Sequence, residues 1–252
     1  CIVTSIGPQH LKTFKTIENI KNEKLKIFSN ASYCIVVNLD DKYIQDYITN
    51  KKCFKVSSSI NDADLIVTSF KNENNDTILK IKTISGTYFA TTALLGKHNI
   101  MNLSLAIAVA IILNINIASI IQNLNYIKNV NHRLSLIKKG QWQIIDDSYN
   151  SNYEGMINAI DVLNDFNGFK VIITPGIIET ELNNKQNDEI ANKINETVNL
   201  ALLINHPIFE IKINNKLAFM SFKEAYSYLE SNFKNKDLII LIANDLPDIY
   251  LK

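Results

Sequence analysis

Asp146-Asp147-Ser148-Tyr149-Asn150-Ser151-Asn152 closes an apolar run, Gln143-Ile144-Ile145, and precedes an amphipathic one through Met156, Ile160 and Leu163. Two adjacent carboxylates thus stand at a strand–turn–helix junction. In open α/β sheets ligands sit at the carboxyl ends of strands and at helix N-termini, which makes this stretch a candidate ligand site. The plainer alternative is a polar loop capped by Asn152. A second cluster, Gly96-Lys97-His98-Asn99-Ile100-Met101-Asn102, opens an apolar helix. Side-chain amides offer both donor and acceptor and can read the edge of a base; alternatively Asn99 only caps the helix.

Two basic residues are also candidates. Lys24 falls in the middle of a helical stripe formed by Ile17, Ile20, Ile27 and Phe28, with Lys21 nearer the edge and Lys26 facing away. An ammonium on such a stripe is costly unless paired or modified, although a lysine can also snorkel from its edge. Arg133 is the only arginine. A chain that otherwise uses lysine can keep one arginine where a planar, two-pronged donor must meet phosphate; a surface arginine is the ordinary alternative.

The elements that must position these residues follow from periodicity and turn chemistry. Residues 1–6 read as an apolar strand ending at Gly7-Pro8, with His10 just beyond. A helix is expected over 17–28, with Thr16 as N-cap and Glu18 in its first turn. Strands follow at 33–39, ending in Asp40-Asp41, and at 64–70. A hairpin over 77–83 and 87–92 turns at Ser85-Gly86. A buried helix ends near Asn114, and another starts at Ile117. Residues 128–133 are polar and form the boundary between two domains, 1–129 and 130–252. Beyond it the expected order is strand 141–146, helix 152–165, strand 170–174, helix 187–198, strand 200–204, helix 222–233 and strand 237–242. This alternation predicts an α/β fold with a Rossmann-like parallel sheet.

Composition excludes several classes. With 252 residues, 46% hydrophobic and 20% charged, the chain is an ordinary globular one, and a net charge of +1 gives no basic surface for nucleic acid. Cys1, Cys34 and Cys53 form no Cys-x-x-Cys pair, which argues against a disulfide framework or zinc site and fits a reducing cytoplasm. The uncharged run from His98 to Tyr126 is broken by Asn99, Asn102, Asn114 and Asn116, so its clean part is shorter than the ~20 residues of a membrane span. No Gly-x-x-x-x-Gly-Lys phosphate loop is present. Cys1 begins inside a strand-like run, the pattern expected of a fragment whose N-terminal part lies upstream.

Asp-Asp-Ser-Tyr-Asn-x-Asn at 146–152 resembles a signature of the Mur ligases, in the branch that adds D-alanyl-D-alanine. Thr4-Ser5-Ile6-Gly7-Pro8-Gln9-His10-Leu11 is similar to that family's strand and His-Leu motif. Glu23-Lys24-Leu25-Lys26-Ile27-Phe28 is similar to the helix bearing its carbamylated lysine. Gly-x-His-Asn-x-x-Asn at 96–102 resembles its adenine-contacting motif. Arg133 resembles the arginine of its Pro-Gly-Arg linker, with Asn131-His132 in place of Pro-Gly. Lys12 and Lys15 stand where the family usually has Glu and Gly. Thr174-Pro175-Gly176-Ile177-Ile178-Glu179 and Ala243-Asn244-Asp245-Leu246-Pro247-Asp248 resemble a loop variant of some members rather than the commoner Gly-Asp-Met and Lys-Gly-Ser forms.

The resemblance implies the distal part of a central ATPase domain followed by a Rossmann-like C-terminal domain. It implies an ATP-dependent amide ligase of peptidoglycan precursor synthesis, cytoplasmic and monomeric, joining D-Ala-D-Ala to a UDP-MurNAc-tripeptide through an acyl phosphate. His98, Asn99 and Asn102 would contact adenine and Arg133 the ATP phosphates. Asp147 would face the nucleotide, Tyr149 and Asn150 would line its base or ribose, and His10 with carbamylated Lys24 would hold Mg2+, whose ligands are hard oxygens. Two other readings stay open: a ligase with another amino-acid donor, and a non-catalytic nucleotide-binding fragment.

Overall fold

The computed structural model describes residues 1–7, 11–45, 47, 50–72, 76–149, 152–177 and 183–243. The chain divides into two compact units. The first holds Cys1–Asn72, Asp76–Thr92 and Lys97–Ile127; the second holds Lys128–Lys252 together with Ala93–Gly96.

The first unit begins with the short helix α1 (Leu11–Phe14) and α2 (Ile17–Ser29). The Thr16 side chain accepts the Asn19 N–H, so the cap predicted from sequence is in place. Strands β1 (Ile35–Asn38), β2 (Cys53–Ser57), β3 (Leu65–Lys71), β4 (Thr77–Thr83) and β5 (Gly86–Thr92) form one sheet in that order. β1, β2 and β3 are parallel, and β4 and β5 add an antiparallel hairpin closed at Ser85-Gly86. Helices α3 (Lys97–Ile112) and α4 (Ile117–Leu124) follow. Asn114, left-handed at φ 57°, ends the first of these, a conformation asparagine tolerates.

Two expectations for this unit are corrected. The N-terminal segment is not a strand along its length: Ile2 alone bridges Val36. Further along, Asn38 donates to the Thr4 carbonyl at 2.9 Å and Asp41 accepts the Ile6 N–H at 2.7 Å, so side chains replace the ladder. Ile27 is 46% exposed and leaves the stripe. Its place is taken by the i, i+4 series Ile20, Lys24, Phe28, in which Ile20 and Phe28 are buried beneath Val3, Ile35 and Val37.

The second unit carries β6 (Ser135–Lys139), β7 (Trp142–Asp147), α5 (Tyr153–Asn164), β8 (Phe169–Thr174), α6 (Asn184–Thr197), β9 (Leu200–Ile204), a 3-10 turn at Ile208–Lys212, β10 (Lys216–Phe219), α7 (Phe222–Phe233) and β11 (Leu238–Ala243). The sheet order is β10-β9-β8-β11-β7-β6, parallel except for β6. β11 is buried along its whole length, as a central parallel strand must be. Ile145, Ile172 and Leu241 point to α5 and α6, whereas Ile144, Ile173 and Ile240 point to α7. The chain therefore winds over one face between β7 and β8 and over the other before returning to β11, between them. Such a switch point opens a crevice at the carboxyl ends of the strands, and β7 ends there in Asp146-Asp147.

β2, β6 and β10 were not legible as strands. They are short and mostly half-exposed, with Lys55, Lys138, Lys139 and Lys216 interrupting any alternation.

Candidate functional site

In the first unit the carboxyl end of β1 and the first turns of α3 wall a cavity of ≈ 850 Å³. His98 and Asn102, four residues apart and so on one helix face, both line it, beside Lys97. Asn99 is not among the lining residues. The cavity walls desolvate His98 and lower its pKa, which favours a neutral imidazole with one donor and one acceptor.

Asp40 and Asp41, unassigned from sequence, line the same space. Their oxygens are committed to building it. Asp40 accepts from the Ser57 hydroxyl at 2.5 Å and the Ser58 N–H at 2.8 Å, and Asp41 accepts from the N–H groups of Ile6 and Tyr43. The signal that marks them in the sequence is the one at 146–147, a pair of aspartates closing an apolar strand.

Lys24 is half-buried, and its ammonium donates to the Ser5 carbonyl at 3.1 Å; Ser5 is a lining residue. His10 lies outside the described residues, as do Asn150, Ile178–Glu181 and Asn244–Asp248. Among the described residues no three of His, Cys, Asp and Glu converge as a metal-ligand set.

In the second unit a tight arrangement surrounds Arg133 at the carboxyl end of β7. His132 and Leu134, which flank Arg133, are both left-handed at φ 62° and 50°. Such a conformation costs an L-residue roughly 1–2 kcal/mol, so each needs outside support. Asp147 accepts the Leu134 N–H at 3.1 Å. His132 Nδ1 lies 2.9 Å from Asp146 Oδ2 and 3.1 Å from Ser148 Oγ. The Ser148 hydroxyl in turn donates to Asp146 Oδ1 at 2.6 Å, and the Tyr149 N–H donates to the His132 carbonyl at 3.1 Å. The Arg133 guanidinium rests 4.8 Å from the Tyr149 ring centroid, a cation–π stack.

Asp146 and Ser148 are buried and structural. Burial pushes the Asp147 carboxyl up to about 6, against the opposing pull of the Leu134 N–H and Arg133. Asn152, accepting from the Gly155 N–H at 2.8 Å, caps α5 as expected. Sequence reasoning did not assign His132. Its mark is a histidine at a linker position where the resembled motif has glycine.

Comparison with known proteins adds the following. Residues 1–110 match the Mur ligase middle domain. The UDP-N-acetylmuramoyl-tripeptide--D-alanyl-D-alanine ligase of Buchnera aphidicola subsp. Baizongia pistaciae is 26% identical over 255 residues, covering 96% of this chain and 55% of the relative. The UDP-N-acetylmuramyl-tripeptide synthetase of Borreliella burgdorferi is 36% identical over 145 residues, 56% of this chain and 28% of the relative. The fold matches the MurF ligase of Thermotoga maritima, in complex with ADP, with a TM-score of 0.79 at 17% identity, covering 97% of this chain and 58% of that one. The chain thus spans about half the length of the relatives matched along all of it. The first part of the chain matches a Mur ligase middle domain, and similarity to Mur ligases and their fold continues through the second unit.

Proposed function

We propose that this chain is the distal half of an ATP-dependent amide ligase that joins D-Ala-D-Ala to a UDP-MurNAc-tripeptide in the cytoplasm. The observation that carries this reading is that similarity to one such ligase runs through both units. In the reaction the tripeptide carboxylate attacks the γ-phosphorus of ATP and releases ADP. The dipeptide amine then attacks the acyl phosphate, and the tetrahedral adduct expels phosphate and leaves the amide.

The residues suit nucleotide binding. His98 and Asn102 offer a base edge donors and acceptors inside a cavity large enough for a nucleoside. Arg133 offers a rigid guanidinium, a shape suited to phosphate oxygens. Magnesium bound with the nucleotide would neutralise phosphate charge. Among the described residues the donor set does not itself form a metal centre, and Lys24 becomes an oxygen ligand only if carbamylated.

A second reading has an observation of its own. The 36% identity to a tripeptide synthetase favours a single amino acid as donor. The complete protein, supplied with ATP and the UDP-linked peptide, should consume D-Ala-D-Ala and release phosphate. Turnover with a single amino acid and none with the dipeptide would select the second reading, and no turnover with either would overturn both.

A further inference from the structure

We propose that His132 is a positioning residue: bonded to Asp146 and Ser148, it latches the backbone that presents Arg133. A histidine at φ 62° stands where a glycine would be free of strain. A strained residue persists where its surroundings hold it, and here they do so from two sides. Its ring Nδ1–H donates to the Asp146 carboxylate at 2.9 Å, with Ser148 Oγ at 3.1 Å, and its carbonyl accepts the Tyr149 N–H. Asp146 is 5% exposed and Ser148 fully buried, so the latch is anchored in the core at the end of β7. Two residues on, Asp147 holds the Leu134 N–H. The adjacent aspartates therefore grip the residues on either side of Arg133, and Tyr149, one residue beyond Ser148, supplies the surface on which the guanidinium rests.

The three polar side chains do not form a nucleophilic triad. Both Asp146 and Ser148 meet the same ring nitrogen, and the serine donates to the aspartate rather than to the imidazole, so the histidine is not placed to take the hydroxyl proton. The arrangement orients and does not react. That Arg133 meets phosphate rests on the proposed function; the latch itself does not.

Arg133 is the chain's only arginine, so arginine-selective 15N labelling of the 252-residue chain yields a single guanidinium Nε–H signal. In the unaltered chain this signal should be displaced by the Tyr149 ring current. His132→Gly relieves the backbone strain yet removes the latch, and should move the signal to the position of free arginine with the circular dichroism unchanged. His132→Asn tolerates the same backbone and places its amide nitrogen where Nδ1 lies, and should restore the displacement. A displaced signal in His132→Gly, or its equal loss in His132→Asn, would overturn the latch. If His132→Gly fails to fold, Ser148→Ala tests the same anchor and should move the signal part of the way; an unmoved signal there overturns the latch too. ATP added to the unaltered chain reports on phosphate separately: a silent titration sinks the role of Arg133 and leaves the latch standing.

Discussion

The Asp147 carboxylate accepts the Leu134 N–H at 3.1 Å although burial raises its pKa to about 6. The folded chain therefore holds a proton that the unfolded chain releases. Between the usual carboxylate value and about 6, this group's contribution to stability falls as pH rises. Above that window the buried charge costs about 3 kcal/mol, from 1.36 kcal/mol per unit. Asp147→Asn keeps the acceptor oxygen and removes the charge. It should stabilise the chain by on the order of 1–3 kcal/mol at pH 8 and by little at pH 4. Urea unfolding at both values measures this, and a difference independent of pH would count against the raised carboxyl. In the complete protein the same variant should weaken ATP binding.

The cavity separates residues that the helical motif groups together. His98→Ala and Asn102→Ala should each weaken ATP binding in the complete protein by about fivefold, the loss of one hydrogen bond of ~1 kcal/mol. Asn99→Ala, away from the lining, should have the smaller effect. Calorimetric titration decides, and unchanged affinity in the His98 and Asn102 variants would place the nucleotide elsewhere.

Lys24 tests the metal assignment. In the complete protein Lys24→Ala should abolish ligation with little change in melting temperature, because the half-buried side chain gives up one bond to Ser5. An intact-mass spectrum in bicarbonate should show a carbamyl adduct that disappears in the variant. Full activity without the lysine would make it an ordinary snorkelling residue.

Asn152→Ala removes the acceptor for the Gly155 N–H at the start of α5. Loss of the cap should cost about 1 kcal/mol, read by denaturant unfolding. An unchanged midpoint would show that packing of Met156, Ile160 and Leu163 alone holds the helix.

Part of the molecule was legible from local rules. Thr16 and Asn152 cap helices through bonds that span three residues, so composition along the chain suffices to place them. The alternation of apolar strands and helices in the C-terminal half likewise announces its parallel sheet, because strands buried on both faces read as continuous apolar runs. His98 and Asn102 share a helix face by spacing alone. The amino-acid sequence by itself thus determined which residues were available for chemistry and which short elements carry them. Tertiary structure decided the rest. Asp40 and Asp41 join the cavity because β1 ends beside α3, which sequence distance conceals. Asp146 meets His132, and Asp147 meets Leu134, because β6 and β7 run antiparallel and return the linker to the end of β7. Ile27 left the core stripe because Ile20 and Phe28 are the residues of this helix that pack with Val3, Ile35 and Val37, and Ile27 lies off that line. The reason is common to all three: capping and periodicity act over a few residues, whereas the partners of a buried polar group are chosen by sheet order and register, which no single stretch of chain contains.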